Sequence, residues 1–118
     1  MELIESRNNG VVIIEPHGRI DSIGSKPFGN RLGDLIRSGS HHLVIDFRHI
    51  VYIISAGFRS LLIAGKQIDE CKGKFVLCGL SAELRRLFEI GAFTSLFTIC
   101  ASREEGLSKA AEEPRPAI

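Results

Sequence analysis

Apolar residues fall in short runs along this chain, and the residues between the runs are those that turn a backbone. Leu3-Ile4 and Val11-Val12-Ile13-Ile14 flank Asn8-Asn9-Gly10, and an Asn-Gly pair supplies the positive φ angles of a tight hairpin. Two antiparallel strands are expected, the second ending near Gly18-Arg19-Ile20-Asp21. Ser25-Lys26-Pro27 then reads as a helix start, because proline is tolerated in the first turn, where its missing N–H costs little. Phe28, Leu32, Leu35 and Ile36 share one helical face, and Gly39 stops the helix.

Leu43-Val44-Ile45 is too short for a helix and rich in β-branched residues, so it reads as a central strand buried on both faces and ending at Asp46. Residues 47–54 form the approach to Ser55. From Phe58 to Asp69 the period becomes helical, with Phe58, Leu61, Leu62, Gly65 and Ile68 on one face and Arg59, Ser60, Lys66, Gln67 and Glu70 mainly on the others. Cys71-Lys72-Gly73-Lys74 turns the chain into a strand at Phe75–Cys78. Ser81 starts a helix with Leu84, Leu87 and Phe88 inward and Gly91 after its end. A short strand at Leu96–Ile99 and a helix within 102–111 complete the pattern.

This order predicts an α/β fold: a mixed sheet of four to five strands that starts with a hairpin and is packed with about four helices through right-handed crossovers. Residues 1–111 are expected to form a single domain. Residues 112–118, with Glu112-Glu113-Pro114-Arg115-Pro116, are charged and proline-rich and are expected to form a flexible tail.

Composition narrows the function classes. With 118 residues, 44% of them hydrophobic, the chain can build one buried core. Fifteen Lys plus Arg against fourteen Asp plus Glu leave a net charge of +1, without the basic stripe that neutralises nucleic-acid phosphates, so no nucleic-acid partner is expected. No apolar stretch approaches the roughly 20 residues that span a bilayer, and Met1-Glu2-Leu3-Ile4-Glu5 lacks the layout of a signal peptide. A cytoplasmic protein without a membrane partner is the expectation. Cys71, Cys78 and Cys100 are an odd set without close spacing, read as reduced and mostly buried thiols, and His41-His42 lacks the further spaced ligands of a metal site. No cofactor and no metal is expected.

The candidate chemistry centres on Ile53-Ile54-Ser55-Ala56-Gly57, one hydroxyl between an apolar run and a helix. A helix N-terminus offers unpaired N–H groups and partial positive charge, which favour a phosphate placed there. The alternative is an ordinary N-cap, with the Ser55 hydroxyl accepting from a first-turn amide. Ile54 and Phe58 flank the hydroxyl with apolar surface suited to a protein-binding patch, although the spacing of Phe58 equally suits the core. Arg59, on the first turn, is placed either to meet an acidic partner or simply to face water.

The order of elements and the residues at their joints resemble the STAS domain of bacterial anti-sigma factor antagonists, over about residues 3–110. The resemblance is carried by Gly18-Arg19-Ile20-Asp21, Val44-Ile45-Asp46, Ile53-Ile54-Ser55-Ala56-Gly57-Phe58, and Leu87-Phe88 before Gly91. It implies the STAS fold and places the family's phosphoacceptor serine on Ser55, with Ala56 at the second hydroxyl position of the motif and Gly57 and Phe58 following. The family's acidic residue before the serine falls on Ile54. The resemblance further implies binding to an anti-sigma factor serine kinase with a histidine-kinase-like ATPase fold, release on phosphorylation, and a PP2C-type phosphatase that restores binding. Asp21 matches the acidic residue of the loop beside the phosphoserine; a turn- or helix-capping role ahead of Ser25 is the other reading. The expected partner-binding set is Asp21, Ile54, Ala56, Gly57, Phe58 and Arg59.

Catalysis by Ser55 itself is not expected. A nucleophilic serine needs a base and an orienting acid, and the residues around Ser55 lack the glycine two positions before the serine of a nucleophile elbow. His17 and His49 are the candidates for such a base, although each also reads as a surface or loop histidine. A second function stands beside the switch: a STAS interaction module in a bacterial signalling assembly that docks without being phosphorylated, favoured by Ile54 and Ala56.

Overall fold

The computed structural model describes residues 1–111; the expected tail at 112–118 lies outside the described residues. Strands β1 (Glu2–Asn8) and β2 (Val11–Ile20) form the antiparallel hairpin. Asn9 at φ 51° and Gly10 at φ 84° are the two consecutive left-handed residues of its turn. The chain continues through α1 (Ser25–Arg37), β3 (His42–Asp46), β4 (Ile50–Ile53), α2 (Ser55–Glu70), β5 (Lys74–Cys78), α3 (Ala82–Ile90), β6 (Thr98–Cys100) and α4 (Arg103–Ala110). The sheet order is β1-β2-β3-β5-β6, with β4 also pairing to β2, and every pairing except the hairpin is parallel. This is the mixed α/β sheet with four helices that the sequence pattern implies, with one further short strand.

That further strand is β4. Strand β2 is ten residues long and pairs with β3 through Val12, Ile13 and Ile14, which leaves its far end unpartnered by β3. The chain turns at Arg48-His49 and pairs a second time, Gly18 with Ile50 and Ile20 with Ile53, across a register shift. Four residues with two exposed side chains, Val51 and Tyr52, carry too little periodicity to announce a strand.

The alternation of β2 divides the molecule into two faces. Val12, Ile14 and Ile20 join Phe28, Leu32, Leu61, Ile68, Leu84 and Phe88 in the main core under α1, α2 and α3. Val11 and Ile13 face the other way, into a smaller cluster with Val44, Val76, Cys78, Cys100 and Ala110, beneath α4. Phe28, Phe47 and Phe88 are fully buried and meet at tilted or edge-on angles; burying each contributes about 1.5–3 kcal/mol.

Two sequence expectations shift. Leu62 lies at the margin of the buried face of α2 and is 36% exposed, while Ala64 takes the buried position. Helix α2 packs on the sheet and α1 together, and its buried stripe of Gly57, Phe58, Leu61, Ala64 and Ile68 follows that double contact. The last strand begins at Thr98 rather than Leu96, because pairing of Thr98 with Val76 sets its register, and Leu96 is exposed. Of the thiols, Cys71 is exposed and Cys78 and Cys100 are buried. Burial, aided by the nearby Asp46 carboxylate, pushes Cys78 up to about 12, so it stays protonated and inert. Among the described residues no helix is long and apolar enough to cross a membrane.

Candidate functional site at the start of helix α2

Strand β4 delivers the chain to α2 through a single extended residue. Ile54, at φ −94° and ψ 173°, is the N-cap, and no side chain caps the helix. The Ile54 amide donates to the Ile20 carbonyl at 2.9 Å, and the Ile54 carbonyl accepts from the amides of Gly57 and Phe58 at 2.9 and 3.2 Å. The turn is therefore fixed by backbone alone. Ser55 becomes the first helical residue rather than the cap, and its side chain is exposed. The N-cap alternative for Ser55 is thereby corrected: a hydroxyl at the first helical position leaves the capping to the residue before it. Helix geometry leaves the first N–H groups without intrahelical acceptors, so the hydroxyl stands at the positive end of a 16-residue helix.

The expected partner-binding residues separate into two groups. Ile54 is half-buried, and Ala56 and Arg59 are exposed beside Ser55. Gly57 and Phe58 point inward, and their surface role is corrected. A Cβ on Gly57 would stand 2.6 Å from side-chain carbons of both Ile20 and Ile53, so this glycine lets the first turn of α2 lie directly on the strand ends. Phe58 is 8% exposed, stacks on Phe93 with ring centroids 4.5 Å apart and meets Phe88 edge-on at 4.9 Å. The site is thus anchored from below by packing and left open above.

Asp21 follows the last residue of β2, beside this turn. Because Ile20 accepts from Ile54, the residues that follow each of them, Asp21 and Ser55, emerge at the same end of the sheet. Asp21 Oδ1 accepts from the Gly24 and Ile23 amides at 2.8 and 3.1 Å, so its side chain closes the turn into α1. The Gly24 amide hydrogen bond, with that of Ile23, holds its carboxyl below the usual range and keeps it charged. A groove of about 380 Å³ between α1 and α2 continues from the site, lined by Ser25, Lys26, Ala56, Arg59, Ser60 and Ile63 among others.

On the opposite face of the sheet lies a polar network that local sequence does not announce. Asp46, 1% exposed, accepts through Oδ1 from the Arg48 amide at 3.0 Å and through Oδ2 from Arg48 Nε at 3.0 Å and Arg103 Nε at 2.9 Å. Arg103, the first residue of α4, also donates to Glu15 on β2. Burial alone would raise the Asp46 pKa, but the donors from Arg48 and Arg103 more than offset it and hold the carboxyl low. Glu15 is also lowered, chiefly by its hydrogen bond with His17. His17 is hydrogen-bonded to Glu15, and the His49 ring lies tilted against that of His17, centroids 4.2 Å apart, with its Nε2 4.0 Å from the carboxylate. The signal available in sequence was one charged residue, Asp46, ending the buried run Leu43-Val44-Ile45, since a buried charge demands partners; Arg103 is 57 positions away and carries no local mark.

Comparison with known proteins places this architecture. The family model for the STAS domain matches residues 4–106. A Bordetella bronchiseptica protein, BtrV, named as an anti-sigma factor antagonist, is 33% identical over 104 residues, covering 88% of this chain and 90% of the relative. A crystal structure from Thermotoga maritima, described as that of an anti-sigma factor antagonist, superposes with a TM-score of 0.87 at 16% identity, covering 92% of this chain and 93% of that one. The Bacillus cell fate determinant SpoIIAA in its phosphorylated form superposes with a TM-score of 0.70 at 16% identity, covering 91% and 97%.

Proposed function

Because the chain belongs to the STAS domain family, with a relative named as an anti-sigma factor antagonist along nearly its whole length, we propose that it is itself an anti-sigma factor antagonist switched by phosphorylation of Ser55. Its partner is an anti-sigma factor serine kinase with a histidine-kinase-like ATPase fold, and a PP2C-type phosphatase reverses the modification. The chain acts by binding rather than by catalysis. The observation that carries this reading is the exposed Ser55 hydroxyl at the first position of α2, in a turn capped by backbone alone. A kinase can take that oxygen without dismantling a structural hydrogen bond.

The physical effect of the phosphate differs inside and outside the domain. A phosphoserine brings about −1.5 to −2 charges at pH 7. Within the domain the α2 N-terminus offsets part of that charge. At an interface formed around a neutral hydroxyl, between the apolar surfaces of Ile54 and Ala56, the same charge must be desolvated, and Asp21 at this end of the sheet adds repulsion. Ile54, Ala56, Arg59 and Asp21 form the partner-facing set, with Gly57 and Phe58 supporting it from the core.

Intact-mass measurement after incubation with ATP and the cognate kinase tests the reading directly. One phosphate per chain is expected, absent from Ser55→Ala, together with weaker kinase binding by Ser55→Glu. Phosphate uptake by Ser55→Ala at the normal rate would remove Ser55 from the mechanism. Tight kinase binding with no phosphate transfer would favour a constitutive docking module, the reading suited by Ile54 standing where the family has an acidic residue. Ile54→Asp would then be expected to raise the transfer rate.

A further inference from the structure

We infer that Glu15, His17 and His49 form a binding site for a divalent transition-metal ion of the Zn²⁺ type, on the face of the sheet opposite the main core and independent of the phosphorylation switch. One ligand atom from each of the three residues can be chosen so that all lie within 4.8 Å of one another. Glu15 and His17 alternate along β2 with Pro16 between them and so project from the same face. His49 arrives from the turn between β3 and β4, which the second pairing of β2 folds back beside His17.

The hydrogen-bond geometry leaves this trio unevenly satisfied. Glu15 Oε2 is 2.7 Å from His17 Nε2 and 4.0 Å from His49 Nε2. The first is a hydrogen bond and the second is beyond hydrogen-bond reach. One carboxylate oxygen therefore serves one imidazole, while the other ring lies against it at a tilt of 31°. A metal ion between them takes a lone pair from all three. Zn²⁺ bonds of about 2.0–2.1 Å set tetrahedral ligand atoms about 3.3 Å apart, so the 2.7 Å contact of Glu15 with His17 must open, and the 4.0 Å separation of Glu15 from His49 close, by roughly half an ångström or a little more. The side chains of His17 and His49 are 31% and 49% exposed, which leaves them room to do so.

The surroundings already orient the carboxylate. Arg103 donates to Glu15 Oε1 and is itself fixed by Asp46, so Oε2 is the oxygen turned toward the imidazoles. Outer-shell partners of this kind hold ligands in place and tune their basicity. Arg48 and Arg103 face Glu15 and Asp46 in equal number, so net negative charge does not draw the cation in. Affinity must come from the two imidazole lone pairs, which select Zn²⁺, Ni²⁺ or Cu²⁺ over Mg²⁺ and Ca²⁺. Bound there, the ion ties the Arg48-His49 turn to β2.

The test uses the full chain, stripped with a chelator and titrated with ZnCl₂ against a chromophoric competitor at neutral pH. One Zn²⁺ per chain is expected, with binding lost in His17→Ala and in His49→Ala and retained in Cys71→Ser and His41→Ala. MgCl₂ should not compete. In parallel, the imidazole resonances of His17 and His49 should shift on adding Zn²⁺ to the unsubstituted protein, a readout independent of how any variant folds. Absence of binding, binding that survives both histidine substitutions, or resonance shifts confined to other histidines would overturn the site. Phosphate incorporation at Ser55 is measured separately, so failure of either idea leaves the other standing.

Discussion

The start of α2 and the Asp46 network occupy opposite faces of one sheet and are held together by opposite means. At α2 the side chains below are apolar, the capping is done by the Ile54 backbone, and the one hydroxyl on top is exposed. Around Asp46 the carboxylates are engaged: two guanidiniums serve two carboxylates, and one carboxylate reaches on to His17. A group whose bonds are already made resists modification, because changing it strands its partners. The exposed serine can accept a charge and lose it again without such a cost. The polar network and the proposed switch therefore lie on different faces.

The sharpest way to break this contrast is Asp46→Ala, which strands Arg48 and Arg103 around a buried position. A loss of about 3 kcal/mol is expected in chemical denaturation, at the lower end for a broken buried pair because both arginines still reach water. Phosphate incorporation at Ser55 by the fraction still folded should be unaffected. Acid probes the same network. Asp46 and Glu15 have folded pKa values below their unfolded ones, so their contribution is complete above the unfolded carboxylate pKa of about 4 and is lost as pH falls through the folded values. Denaturation midpoints measured from pH 7 down to pH 3 should drop in the native protein and drop less in Asp46→Asn.

Gly57→Val probes the packed underside of the α2 start. Its Cβ collides with Ile20 and Ile53, and a destabilisation of about 1–3 kcal/mol is expected, with slower phosphorylation because Ser55 moves with the turn. Two serines at helix starts sharpen the comparison further. Ser81 accepts from the Leu84 amide at 3.1 Å as the N-cap of α3, so Ser81→Ala should cost about 1 kcal/mol. Ser55→Ala should change stability by less than about 0.5 kcal/mol, while removing the proposed phosphate acceptor. Equal costs for the two would show that Ser55 is a structural cap after all.

Much of this was legible along the chain because it rests on local rules. The Asn9-Gly10 hairpin, the buried run Leu43-Val44-Ile45, the inward face of α1 and the cap at Ser81 each depend on neighbours within a few residues, and the structure places them as the pattern implies. Ser55 at a helix start was legible for the same reason. Whether it was the cap or the residue after it was not, since that depends on the Ile54 amide finding the Ile20 carbonyl 34 positions earlier.

The sequence by itself determined the order of elements apart from β4, the alternation that gives the sheet two buried faces, and the position of a lone hydroxyl at the start of α2. Only the tertiary structure decided that Gly57 and Phe58 turn inward, that β4 pairs with the far end of β2, and that Glu15, Asp46 and Arg103 meet, although Arg103 lies 57 and 88 positions from the two acids. Periodicity encodes which face of an element is apolar and is read within one or two turns. Which charged residues share that face is fixed by strand register and helix placement, and these are set only when distant segments pack.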